Sequence, residues 1–68
     1  MESNMYNAIR LWFTEISKCV KLNYYMKQLD IKPSNMTLFL KGVNGSISYY
    51  RLIELQNYII ADLGKKIA

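Results

Sequence analysis

Along the first part of the chain, apolar residues return at Met5, Ile9, Trp12, Ile16, Cys19 and Val20, the three-and-four spacing of one helical face. This spacing predicts a first helix from about Met5 to Val20, after a loose start over Met1 to Asn4. Tyr6, Leu11 and Phe13 widen the stripe, so this helix is expected to be buried on several sides or to keep apolar surface for a partner. Cys19 lies on the apolar side and reads as a small core residue. Asn23 is the expected cap of a short second helix that runs to about Leu29 and closes at Asp30, after which Ile31 re-enters the core. Pro33 is pre-set for a first helical turn and opens a third helix, which ends at Lys41 with Gly42 as a left-handed stop. Val43-Asn44-Gly45-Ser46 is turn chemistry, and Ile47 plugs the core from it. Ser48 then caps a fourth helix with a stripe of Leu52, Leu55, Ile59 and Leu63, flanked by Ile53 and Ile60 and expected to end at Gly64. The pattern predicts one compact all-α domain over residues 1–68, with four helices, or five if the tail continues.

The two short middle helices carry the most specific local signal. Met26, Leu29, Ile31, Met36 and Phe39 sit at offsets that let one helix cross and pin the other, which is the pattern of a helix-turn-helix. With Met36 and Phe39 turned inward, Ser34, Thr37, Leu38 and Lys41 face outward on the third helix.

Composition narrows the classes. At 68 residues the chain is near the lower limit for a single self-sufficient core, and 51% apolar residues are enough to build one. With one cysteine and no histidine, neither an internal disulfide nor a zinc site is expected. No metal or cofactor is called for. Neither a glycine-rich phosphate loop nor a nucleophile–base pair is present, and Glu54 and Asp62 are not in adjacent turns, so an enzyme is not expected. No apolar run reaches membrane-spanning length and no export signal opens the chain; a reducing, cytoplasmic setting is the expectation. Met1 and the closed helix count fit a whole protein. The net charge of +4 permits nucleic acid as a partner without requiring it. Its distribution says more: Ile31 to Ile53 contains Lys32, Lys41 and Arg51 but no carboxylate.

The run from about Phe13 to Leu63 resembles the phage-repressor and Cro-like helix-turn-helix domains of the xenobiotic-response-element family. The likeness is carried by Met-Lys-Gln-Leu-Asp-Ile-Lys-Pro-Ser-Asn-Met-Thr-Leu-Phe-Leu-Lys-Gly from Met26 to Gly42, by Ser46-Ile47-Ser48, and by Leu52, Leu55, Ile59 and Asp62-Leu63-Gly64. The resemblance implies a lambda-repressor-like fold whose third helix enters the major groove. Departures are equally specific. Met26 replaces a small residue, Asp30 replaces the turn glycine, Leu22 takes the place of a phosphate-binding glutamine, and Pro33 occupies a base-reading position.

Two functions follow as expectations. The first is a sequence-specific DNA-binding regulator, a repressor of the kind found in phages, mobile elements and bacterial operons. Lys32, Ser34, Asn35, Thr37, Leu38 and Lys41 would contact double-stranded DNA, with Arg51 adding a phosphate contact. So small a domain is expected to act as a homodimer, its interface formed by Tyr6, Leu11 and Phe13 of the first helix and Ile53 and Ile60 of the last. The second is a protein-binding module on the same scaffold, such as an antirepressor or a phage-encoded inhibitor of a host defence enzyme. Pro33, Leu38 and the tyrosines Tyr24, Tyr25, Tyr49, Tyr50 and Tyr58 motivate it. A DNA-associated antitoxin would combine the two.

Overall fold

In the computed structural model, which describes residues 2–67 and the side-chain surroundings of residues 5–65, four helices and no strand are present. They are α1 (Glu2–Ile16), α2 (Leu22–Gln28), α3 (Pro33–Leu40) and α4 (Tyr49–Ile67). The two outer helices are long and amphipathic, and the two inner ones are too short to persist alone. Tertiary packing therefore decides their stability. α1 packs against α3 and α4, and α2 packs against α4.

The core is assembled from all four helices and the loop before α4. Phe13 of α1, Phe39 of α3 and Leu52, Leu55 and Ile59 of α4 are fully enclosed. Ile9, Leu22, Tyr25, Met26, Ile31, Met36 and Ile47 complete the buried set. Each such side chain contributes about 1.5–3 kcal/mol by leaving water, which is what holds α2 and α3 in place. Phe39 takes Phe13 and Tyr6 edge-on at 6.5 and 6.4 Å between ring centroids. The Tyr25 hydroxyl is carried into this core and donates to the Asp62 carboxylate at 2.7 Å, joining α2 to α4.

The two inner helices end in the same way. At α2 the Ile31 N–H donates to the Met26 carbonyl at 2.8 Å and the Asp30 N–H to the Lys27 carbonyl at 3.3 Å. At α3 the Val43 N–H donates to the Leu38 carbonyl and the Gly42 N–H to the Phe39 carbonyl, both at 3.0 Å. Both are Schellman caps, which need a left-handed residue just past the helix. Gly42 supplies it with φ of 110° as expected, and Asp30 supplies it with φ of 57°. Aspartate tolerates that backbone better than most residues. An arginine then reaches each end from a distant helix. Arg51 donates to the Leu29 carbonyl and Arg10 to the Phe39 carbonyl, the latter at 2.7 Å.

Several boundaries differ from the sequence expectation. α1 begins at Glu2, so residues 2–4 are helical; Met1 lies outside the described residues. α1 ends at Ile16, because the Cys19 and Val20 N–H groups both fold back onto the Ile16 carbonyl. Cys19 is consequently exposed and not a core residue. α2 starts two residues early, with Lys21 in the cap position and no side-chain bond there, while Asn23 is already inside the helix. Gly64 does not stop α4, which continues to Ile67. A helix-interior glycine costs only about 1 kcal/mol, and Gly64 does not take the left-handed conformation that would end the helix. Ser48 does cap α4, its hydroxyl oxygen accepting from the Arg51 N–H at 3.3 Å.

Candidate nucleic-acid interface

α3 divides cleanly between an inward and an outward face. Met36 and Phe39 are buried beneath it, which fixes its rotation. Ser34, Thr37, Leu38 and Lys41 are all exposed, as the helical spacing predicts, and Lys32 and Pro33 are exposed at its start. The Thr37 hydroxyl donates to the Pro33 carbonyl at 3.1 Å, so it presents its oxygen lone pairs outward as an acceptor. Pro33 costs α3 nothing as its first residue, since that position has no intrahelical use for an N–H.

Asn35 is half-buried, on the flank of α3 nearest the loop. Its carbonyl accepts from the Ser46 hydroxyl at 3.1 Å, which pulls the loop against the first turn of the helix. Here a cleft is lined by Asp30, Lys32, Asn35, Ser46, Ser48 and Arg51 around Ile31 and Ile47. The N-terminal ends of α3 and α4 both open onto it. Neither helix has an acidic residue in its first turn, so the partial positive charge of both ends is uncompensated by their own side chains. A neighbouring hollow between α2 and the start of α3 is lined by Asn23, Lys27, Asp30, Ile31, Lys32 and Pro33, two lysines to one carboxylate. Lys27 and Asn23 thus join the cationic, hydrogen-bonding border of α3. Their positions one turn apart on α2 carry that signal in the sequence.

Arg51 differs in character from the lysines. Its guanidinium is held by the Glu54 carboxylate and the Leu29 carbonyl, so its first task is to close the end of α2. Arg10 is engaged in the same way. It donates to Asn7 at 2.6 Å, to Phe39 and to Asn44, and its guanidinium carbon stands 4.7 Å above the Phe39 ring. Both arginines are structural ties, and the exposed lysines supply the available positive charge.

Comparison with protein-family models, curated protein sequences and solved structures finds no match to this chain.

The expected dimer residues separate into two groups. Phe13 is fully enclosed and takes no part in any surface; it sits on the inner side of α1 between Trp12 and Phe39. Tyr6 is half-buried against Phe39 and Tyr49, with the Tyr49 ring centroid 5.7 Å away. The surplus of apolar residues on α1 thus serves a core enclosed on two sides. Leu11, at 63% exposure, and Ile60, at 52%, are on the surface, and Ile53 is half-exposed. Sequence reading missed Val43, which at 46% exposure adjoins the 45% exposed Leu38 through the α3 cap. A hydrophobic residue directly after the left-handed Gly42 was the available signal.

Proposed function

We propose that this protein is a small sequence-specific DNA-binding regulator, with α2, the Asp30 turn and α3 acting as a helix-turn-helix. The observation that carries the reading is the division of α3. Its buried Met36 and Phe39 make the helix rigid, while Ser34, Thr37, Leu38 and Lys41 present donors, acceptors, an apolar side chain and a cation on one exposed face. That mixture suits base edges in a major groove. Ser34 and Thr37 would hydrogen-bond bases and Leu38 would meet a thymine methyl. Asn35, half-buried at the flank, would reach a base only at the edge of the contact. Lys32, Lys41 and Lys27 would meet phosphates, and the joint N-terminal ends of α3 and α4 favour a phosphate between them. Arg51, anchored to Leu29 and Glu54, would add charge to that cleft without leaving its place. So few contacts imply a two-fold dimer on a two-fold site.

Fluorescence polarisation against mixed duplex and against the DNA upstream of the coding region, at low and physiological salt, tests the proposal. Saturable binding to one region that falls steeply with salt and is lost in Lys41→Glu is the expected outcome. Equal, weak binding to every duplex would reject it.

One observation favours a second reading. Leu38 and Val43 form an exposed apolar pair at the end of α3, and a protein partner would use such a pair as an anchor. In that case Leu38→Ala abolishes partner binding, salt has little influence, and Lys41→Glu is tolerated.

A further inference from the structure

From Arg51 to Lys65, the charged residues of α4 lie on one side of the helix. Arg51 bonds the end of α2, Glu54 pairs with Arg51, and Asp62 accepts from Tyr25 of α2. Helical spacing puts Lys65 on that same side, one turn beyond Asp62. On the other side, Ile53, Gln56, Asn57, Ile60 and Gly64 are half-exposed or exposed, and none is charged. Tyr49, Ile53, Gln56, Ile60 and Leu63 recur there at spacings of four, three, four and three, a heptad-type stripe lying beside the core stripe. Between α1 and α4 an uncharged cleft continues this surface, floored by Ile9 and walled by Met5, Trp12, Tyr49 and Ile53.

From these features we infer that the neutral face of α4 is a homodimer seam, with α4 of one copy crossing α4 of a second copy antiparallel. The order of residues supports a second copy as the occupant. An antiparallel crossing centred on Gln56 and Asn57 sets Ile53 against the second copy's Ile60, and the two-fold axis repeats the contact. Gln56 then meets the second copy's Asn57 at the centre, and Asn57 its Gln56, where polar pairing fixes register. Charge points the same way. Two chains of net charge +4 repel each other, and this face lets them meet without opposing like charges.

Area agrees as well. A stable dimer buries about 800 Å² per partner, roughly a sixth of the 4762 Å² that this chain exposes. Such a patch needs one whole long side of a molecule measuring 35 × 22 × 21 Å. From Tyr49 to Gly64 the neutral face runs about 22 Å at the rise of an α-helix, and Met5 and Trp12 of α1 extend its width. The seam deepens the two-fold dimer of the preceding section, but it rests on α4 and not on α3, so it is tested without DNA.

Sedimentation equilibrium on the full chain provides the test. The wild-type protein is expected to be a dimer, and Ile60→Lys, at an exposed and therefore fold-tolerant position, to raise its dissociation constant at least about 30-fold. Circular dichroism confirms that the variant stays helical. Leu38→Lys on α3 leaves the dimer intact. Orientation is read by cross-linking on a Cys19→Ser background: a mixture of Ile53→Cys and Ile60→Cys chains forms the disulfide-linked dimer, and neither chain does so alone. A wild-type monomer at about 100 μM, a folded Ile60→Lys that remains dimeric, or dissociation caused by Leu38→Lys instead would each overturn the seam. Loss of specific DNA binding with the dimer unchanged would overturn the DNA reading and leave the seam standing.

Discussion

The ends of α2 and α3 are built to one plan and put to different uses. Each is a Schellman cap with a left-handed residue, an arginine from a distant helix, and an apolar pair across the cap. At α2 that pair is Met26 and Ile31, both buried; at α3 it is Leu38 and Val43, both nearly half-exposed. The same backbone motif thus closes the core in one place and sets an apolar spot on the surface in the other. The motif itself does not distinguish a residue that stabilises from one that is free to contact a partner. The neighbouring helices decide, since α4 packs on α2, whereas among the described residues none covers the outer side of α3.

The sharpest way to break this comparison is to truncate both pairs. Ile31→Ala should lower stability by about 2–4 kcal/mol in urea unfolding, whereas Leu38→Ala should change it by less than about 0.5 kcal/mol. Equal losses would mean that the α3 pair is structural after all. The left-handed residues come next. Gly42→Ala places a Cβ at φ of 110° and should cost about 1–2 kcal/mol. Asp30→Gly should stay within about 0.5 kcal/mol of wild type, because relief at φ is offset by a more flexible unfolded chain. The arginines give a smaller effect. Arg10→Ala and Arg51→Ala should each cost about 1 kcal/mol, as both guanidinium groups are partly hydrated. A much larger loss for one of them would show that the two ends are not equivalent.

The helical pattern was legible wherever local chemistry and tertiary packing agreed. Gly42, Asp30, Pro33, Ser48 and the inward turn of Met36 and Phe39 follow from backbone preference and helical spacing, both of which are sequence-local. Cys19 and Gly64 misled for opposite reasons. Cys19 continues an apolar stripe whose helix has already ended at Ile16, and Gly64 offers a stop that α4 does not use. Phe13 looked like surplus apolar surface because the spacing cannot reveal that α1 is enclosed by both α3 and α4. The arginine ties were illegible, since Arg10 and Phe39 lie 29 positions apart. On the candidate interface, the outward residues of α3 were legible, whereas the restraint on Arg51, the half-burial of Asn35 and the exposure of Val43 depended on contacts between elements.

The first and last helices pack on each other, and this order along the chain has a consequence for biosynthesis. Phe13 and Phe39 are enclosed only when Leu52, Leu55 and Ile59 are in place. A nascent chain that has emerged from the ribosome as far as Gly42 carries two phenylalanines with nowhere to go and two short helices without support. The core therefore closes only once α4 has left the ribosome.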